Sequence, residues 1–366
     1  MGSQNKIMAV HFHQLKIKTI KKETPDCVSV SFDIPEPLKE TFNFQQGQNI
    51  TLKKKIGGEE LRRSYSICTA PFENELKVAI KKVVGGKFST FANDILKPGD
   101  EIEVLPPTGR FTTPLANSNK KNYVAFAAGS GITPLLSIIK TTLQTEPKSN
   151  FTLVFGNRNR NSIIFFEELE ALKNIYLQRF TFITILSREK TDTPINSGRI
   201  NSQKLIALNK LINYSNTDEF FICGPEEMIF CVKEYLELHG VEKNKIHFEL
   251  FTAPGQKHQA TGNTIPENIN NTLKSKITVK ADGRSFEFDL GYNSATILDA
   301  ALQQGADLPF ACKGGMCCTC KAKLLEGEVK MEVNWGLDQE EVEQGFILTC
   351  QSHPTTEKVV VDFDIK

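Results

Sequence analysis

The sequence is nearly without net charge: 44 Lys and Arg against 43 Asp and Glu leave +1. So balanced a chain sets up no field for nucleic acid or an anionic membrane surface, and neither is expected as a partner. It has no apolar run near the roughly 20 residues needed to cross a bilayer. The opening stretch MGSQNKIMAVHFHQLKIK lacks the apolar core and cleavage site of a secretory signal, and Lys6 stands where a myristoylation pattern needs Ser or Thr. There is no internal repeat and no low-complexity tract. What is present is cysteine, nine in all. Thiols in that number without a secretory signal imply a reducing compartment, and the cytoplasm is expected.

Four of the nine fall in Ala311–Lys321, ACKGGMCCTCK; three of these, Cys312, Cys317 and Cys320, are spaced C-x4-C-x2-C, and Cys350 follows far downstream in FILTCQSHP. The spacing C-x4-C-x2-C with a distant fourth thiol is that of plant-type [2Fe–2S] clusters. A short loop can present three thiolates to one small volume only if its backbone wraps the cluster, and Gly314 and Gly315 permit the unusual dihedrals this needs. Replacing Cys317 by Cys318 gives a spacing that fits no such cluster, so Cys318 is read as a spare thiol. Zinc would take C-x2-C pairs or Cys/His mixtures, and no His lies in the loop. A disulfide would suit a secreted chain, and plain buried thiols would not cluster in this way.

The 366 residues suffice for two or three domains. From about 9 to 115, short alternating runs (HQLKIKTI, CVSVSFDI, NITLKKKI, LKVAIKKVV, EIEVLPP) separated by turns such as Gly57-Gly58 and Pro98-Gly99-Asp100 predict an antiparallel barrel or sandwich, with a helix in KFSTFANDIL. From about 118 to 253 the apolar strands YVAFAA, NFTLVFG, RFTFITILS and FFICG alternate with helical patterns in LLSIIKTTLQ, SIIFFEELEALKN and PEEMIFCVKEYLELHG. This predicts an α/β, doubly wound parallel sheet, closed by HFELF. Residues 254–274, rich in Pro, Gly, Asn and Thr, read as a linker. Beyond them KITVKADGRSFEFDL predicts a β-hairpin turning at Asp282-Gly283, SATILDAALQQG a helix and KVVVDFDI a last strand.

Two stretches of the β domain carry chemistry. Arg63-Ser64-Tyr65-Ser66 offers a guanidinium fork suited to phosphate and an aromatic face suited to a flat ring. Gly85-Gly86-Lys87-Phe88-Ser89 feeds a helix N-terminus, where free N–H groups make an anion site. In the α/β domain Gly129-Ser130-Gly131-Ile132-Thr133-Pro134 is a tight turn after the first strand, with Pro134 in the place of a dinucleotide fingerprint's last glycine. Cys223-Gly224-Pro225 ends the fourth strand. A lone strand tyrosine or strand-end cysteine is more often core, and the glycine hexapeptide alone could be any strand–helix turn.

Taken together and in order, R-x-Y-S, the glycine turn, G-x-G-x-x-P and C-G-P resemble the ferredoxin–NADP reductase superfamily. The whole chain resembles the reductase components of multicomponent oxygenases, and its cysteine-bearing part those serving ring epoxidation of phenylacetyl-CoA. The resemblance implies a three-domain molecule: an FAD-binding antiparallel β-barrel over 1–115, an NAD(P)-binding α/β domain over 116–253, and an α+β, β-grasp ferredoxin domain over 275–366. It implies FAD in preference to FMN, with Arg63 toward its phosphate, Tyr65 on its ring, Ser66 at its hydride-accepting nitrogen, and Ser64, Ala79, Ile80, Lys81, Gly86, Lys87, Phe88 and Ser89 around it. Gly129, Gly131, Thr133 and Pro134 would hold the nicotinamide nucleotide, Cys223, Gly224 and Pro225 would lie by the nicotinamide, and Glu249 and Phe251 by the flavin. Ser66, Cys223 and Glu249 are the expected catalytic residues. Where NAD enzymes place a ribose-binding carboxylate, this chain has Asn157, Arg158 and Arg160, with Ser187-Arg188 ending the third strand. NADPH is therefore expected before NADH, with Arg158, Ser187 and Arg188 as contacts. Cys312, Cys317, Cys320 and Cys350 would ligate the cluster. Electrons would pass from NADPH through FAD and the cluster, across a linker that lets the ferredoxin part swing, to an oxygenase or hydroxylase. A steroid or fatty-acid hydroxylase or a desaturase is the alternative acceptor, and a redox sensor or electron store without turnover the alternative of another class.

Overall fold

A computed structural model describes residues 11–251, 274–292 and 294–365. These form two compact units, His13–Phe251 and the residues from Lys274 onward. The linker expected over 254–274 lies outside the described residues, except that Lys274 begins a strand. Among the described residues no helix is long and apolar enough to cross a membrane.

The larger unit begins with six antiparallel strands: β1 (His13–Thr24), β2 (Cys27–Asp33), β3 (Asn49–Ile56), β4 (Glu59–Ser66), β5 (Lys77–Lys81) and β6 (Glu101–Thr108), in the order β4-β3-β6-β1-β2-β5. The sheet curls until its ends meet. Just past β4, Ile67 bridges Val78 of β5, so the edge strands satisfy one another and the expected barrel closes. Leu15, Val30, Ile50, Leu52, Ile80 and Val104 fill its interior. The helix α1 (Lys87–Asp94) lies against β5. The run expected as a strand to Val84 stops at Lys81, because Lys82 N–H turns to the Asp26 carbonyl and Val83 and Val84 are exposed.

The same unit continues as five parallel strands, β7 (Asn122–Ala128), β8 (Asn150–Asn157), β9 (Phe180–Leu186), β10 (Glu219–Cys223) and β11 (Ile246–Glu249), in the order β11-β10-β7-β8-β9. Helices α2 (Ile132–Thr145), α3 (Phe166–Ile175), α4 (Ser202–Leu208) and α5 (Glu226–Leu238) connect them. The apolar runs of β7 and β8 are continuous because helices cover both faces. The helix predicted to start at Ser162 starts at Phe166, and Phe165 takes a left-handed φ of 59°. Ile163, Ile164 and Phe165 are all buried. Three successive side chains on a helix would fan apart through about 200°, so an irregular entry is what lets all three reach the core. The helix α4 was not foreseen.

Among the described residues the main sheet of the smaller unit has five strands in the order β13-β12-β18-β14-β16: β12 (Lys274–Ala281), β13 (Arg284–Gly291), β14 (Lys321–Glu326), β16 (Phe346–Leu348) and β18 (Lys358–Asp362). β12 and β18 run parallel at its centre, and α6 (Ile297–Gln303) packs beneath through Ile297, Leu298 and Ala301. This is the expected β-grasp. The predicted hairpin joins β12 to β13 through Asp282 and Gly283, at φ 56° and 68°, the geometry of a type I′ turn. The short strands β15 (Val329–Met331) and β17 (Ser352–Pro354) pair separately, and α7 (Gln339–Glu343) precedes β16.

Candidate functional site

In the larger unit two of the barrel's expected site residues, Ser66 and Lys81, reach the carboxyl ends of the parallel strands, at Glu249 and Gly129. Arg63, Ser64, Tyr65 and Ser66 close β4, paired with Leu52, Thr51, Ile50 and Asn49 of β3. Arg63 is exposed, and its guanidinium donates to the Arg62 carbonyl at 2.7 Å. The Tyr65 ring lies 5.8 Å from that of Phe88, tilted by 36°, and burial lifts its phenol above the usual range. Gly86 caps α1 with no side-chain cap of its own. Ser89 fastens the loop ahead of the helix, accepting from Val83 N–H at 3.1 Å and donating to the Gly86 carbonyl at 3.2 Å. Lys87 pairs with Glu59 at 2.6 Å on the surface. Ala79 and Ile80 are buried in β5 and Lys81 is half-buried.

Ser66 and Glu249 are far apart in sequence, yet Ser66 Oγ donates to Glu249 Oε2 at 2.9 Å. Cys223 ends β10 directly opposite Glu249 on β11. Burial first, and then the charge of Glu249, push the Cys223 thiol well above its usual pKa, so it stays protonated at physiological pH. The three expected catalytic residues thus converge. Phe251, two residues on, is exposed.

The glycine turn sits next to Cys223. Gly129 has a left-handed φ of 54°, and a Cβ placed on it would lie 3.8 Å from Lys81 Nζ of the barrel. Gly131 packs so closely that a Cβ would overlap the Cys223 carbonyl. At Gly224 a Cβ would lie 2.6 Å from the Met228 side chain. Pro134 occupies the first turn of α2, where its missing N–H costs nothing, and Thr133 Oγ1 donates to the Ser130 carbonyl at 3.0 Å. Pro225 caps α5 and its carbonyl accepts from Met228 and Ile229. Arg158 and Arg188 are exposed and joined through their backbones, Arg188 N–H to the Arg158 carbonyl at 2.8 Å, while Ser187 N–H bonds the Asn157 carbonyl at 2.9 Å. Arg158, Ser187 and Arg188 therefore share one rim at the ends of β8 and β9.

In the smaller unit the cysteines meet in pairs, Cys312 with Cys317 and Cys320 with Cys350. The bond from Cys317, aided by backbone N–H groups of Gly314, Met316 and Cys317, draws the Cys312 thiol down to about 6. Cys320 does the same for Cys350, helped by Gly315 N–H. The second thiol of each pair, Cys317 and Cys320, is pushed well above its usual value in turn, so a cluster held by four thiolates would have to displace those protons. Among the described residues no three His, Cys, Asp or Glu side chains surround a single ion position. Two pairs of thiols suit two irons, each taking two thiolates, and not one tetrahedral zinc.

Of the two loop glycines, only Gly315 has positive φ, 73°, and a Cβ there would come within 2.9 Å of the Val333 carbonyl. Lys313 and Cys318 also adopt left-handed φ, 50° and 54°, which the residue types did not announce. A strap holds the loop. Trp335 and Gly336 N–H groups donate to the Gly315 carbonyl at 3.0 and 2.9 Å, and Cys318 Sγ donates to the Gly336 carbonyl. Gln351 Nε2 reaches the Lys313 carbonyl at 2.9 Å. Neither Gly336 nor Gln351 was foreseen, since their partners are distant in sequence and no local pattern marks them.

The family Oxidoreductase FAD-binding domain matches residues 14–113, Oxidoreductase NAD-binding domain 126–234, and 2Fe-2S iron-sulfur cluster binding domain 279–355. The chain is 45% identical over 356 residues to a component of the 1,2-phenylacetyl-CoA epoxidase of Escherichia coli, spanning 97% of this chain and 98% of that protein. It is 31% identical over 354 residues to the ferredoxin reductase component of 3-ketosteroid-9-alpha-monooxygenase from Rhodococcus rhodochrous, spanning 95% and 96%. Phthalate dioxygenase reductase shares its fold, with a TM-score of 0.56 at 23% identity over 96% of this chain and 98% of that one. The chain is an oxidoreductase with FAD-binding, NAD-binding and 2Fe–2S domains, and it belongs to the ferredoxin–NADP reductase superfamily, among the reductases that supply oxygenases with electrons.

Proposed function

We propose that this chain passes electrons from NADPH to the oxygenase component of a phenylacetyl-CoA ring-epoxidising system. The domains would extend over 1–115, 116–253 and 275–366, with 254–274 between the second and third. The observation that carries the reading is the meeting of Ser66, Cys223 and Glu249 beside the Gly129–Gly131 turn. The 45% identity to a component of an epoxidase supports the acceptor.

Bound there, FAD would supply hydride chemistry with the nicotinamide and one-electron chemistry toward the [2Fe–2S] cluster. The residues position and tune. Tyr65 offers its ring face to the isoalloxazine, and Arg63, Ser64 and the α1 N-terminus at Gly86, Lys87 and Phe88 receive the flavin phosphates. Ala79, Ile80, Lys81 and Ser89 shape that cradle. Ser66, whose hydroxyl donates to Glu249, would set its oxygen beside the reacting nitrogen. Cys223, neutral and buried, would fill the space against the nicotinamide with Gly224 and Pro225, and Phe251, exposed here, would cover the flavin. Gly129, Gly131, Thr133 and Pro134 bring the dinucleotide's phosphates to the start of α2. Arg158, Ser187 and Arg188 form the rim that would take the 2′-phosphate of NADPH. Cys312 with Cys317, and Cys320 with Cys350, would ligate the cluster.

The test combines purified protein, the oxygenase component and phenylacetyl-CoA. The expected result is epoxide formation that depends on this chain, with NADPH giving the higher kcat/KM. Epoxide formation without the chain, or efficient coupling only to a steroid hydroxylase, would assign it elsewhere.

A further inference from the structure

Asn157 is the last residue of β8 and is only 8% exposed. Its backbone is occupied: it pairs with Leu186 of β9, and its carbonyl accepts from Ser187 N–H. Its side-chain nitrogen Nδ2 is buried and meets no acceptor among the described residues. A buried amide without a partner loses its hydration and gains nothing in return, which is why such groups are rare. Where one persists, a ligand is a natural source of the missing acceptor.

Its position says which ligand. β7 and β8 run parallel with Ala128 opposite Gly156, so the next residues, Gly129 and Asn157, stand side by side, Asn157 still paired with β9 on its other edge. Asn157 shares a strand face with Phe155, whose ring packs in the core that α2 covers. The amide therefore stands at the carboxyl edge of the sheet on the α2 side. It lies beside the glycine turn that leads into a 14-residue helix with no side-chain cap. Free N–H groups at that helix start and the positive end of its dipole favour an anion.

We propose that Asn157 is a dinucleotide-binding residue whose Nδ2 donates to a pyrophosphate oxygen, completing the donor set begun by the turn and helix backbone. The proposal rests on the nucleotide site described above. It assigns Asn157 an energetic signature opposite to that of a structural residue: the free protein bears the cost of the unpaired amide, and only the complex recovers it. A leucine of the same shape should relieve the cost and lose the ligand bond together.

The experiment uses the full-length flavin-loaded protein and its Asn157→Leu variant. Dissociation constants for NADP⁺ and for ADP-ribose are measured by calorimetry, with thermal unfolding and steady-state kinetics alongside. Both dissociation constants are expected to rise together by about tenfold, the loss of one hydrogen bond to a charged oxygen. KM for NADPH should rise with kcat retained, and Tm should hold or increase. Asn157→Ala, too small to clash, should weaken both ligands likewise. Unchanged dissociation constants in the two variants overturn the proposal, as does a lowered Tm in the leucine variant. A wild-type protein that binds neither ligand overturns the nucleotide site and this assignment with it.

Discussion

Ser66 donates to Glu249 at 2.9 Å, and the carboxylate in turn stands opposite Cys223. The fixed hydroxyl is worth most if it acts where the hydride arrives. Removing one aimed group from a reacting centre commonly costs about 10²-fold. Ser66→Ala should therefore slow flavin reduction by NADPH by about ten- to a hundredfold in stopped-flow absorbance, with flavin content unchanged. Buried thiols make a second prediction. Burial raises Cys27 to about 12 and lifts Cys223 well above its usual value. An unfolded thiol ionises near roughly 8.5. A folded pKa raised in this way gives stability that is complete below the unfolded value and lost as pH climbs past it, because only the unfolded chain then releases the proton. Urea unfolding of the wild type should weaken above about pH 8.5. Cys27→Ala should lessen that slope by up to about 1.4 kcal/mol per pH unit. Cys318, whose Sγ points to Gly336 and not into either thiol pair, marks the third residue-scale outcome. Cys318→Gly should keep the cluster's visible spectrum, since glycine accepts the φ of 54°, while Cys317→Ala should lose it.

The elements show how far local pattern reaches. Alternation in β2 and β3, the continuous apolar runs of β7 and β10, and the Asp282-Gly283 turn each state their structure within a few residues. The thiol spacing likewise announced its loop. What stayed hidden depends on partners far along the chain. The strands β15, β16 and β17 have three residues each, too few for any period to appear. The start of α3 is hidden in the sequence because a fully apolar stretch has no polar face to betray its period. Lys313 at positive φ and the Gln351 bond to its carbonyl exist only once the strap is folded over the loop. The β7–turn–α2 element is the strictest case of a residue type fixed by space. With the Cys223 carbonyl where a Cβ at Gly131 would go, Gly131→Ala must push β10 from β7 or move the turn. Overpacking of this kind costs about 1–3 kcal/mol. The variant should unfold at correspondingly lower urea and bind NADP⁺ poorly, and a variant with wild-type stability and affinity would mean the turn can shift freely.

At the scale of the molecule, the two units have separate interiors. Barrel and parallel sheet share His13–Phe251, while Ile277, Val279, Leu298, Leu348 and Val361 build an independent core around the cysteine loop. A chain so divided should accept damage at one end of its electron path without losing the other. Cys312→Ser tests this in the full-length protein. Serine keeps the side chain's size but replaces the thiolate that Gly314 N–H and the Cys317 thiol stabilise, and iron–sulfur clusters are held by thiolates. The cluster's absorbance should vanish, and with it cytochrome c reduction. Because Ser66, Cys223 and Glu249 all belong to the other unit, NADPH should still reduce the flavin, and ferricyanide should still be consumed at close to the wild-type rate. Calorimetry should show the same asymmetry: the transition of the smaller unit falls and broadens, since bound metal contributes to its folding, while that of the larger unit stays in place. If flavin reduction fails together with the cluster, or the two units melt as one in wild type and variant alike, the cysteine loop supports the whole molecule and the division into an electron-accepting and an electron-delivering unit is wrong.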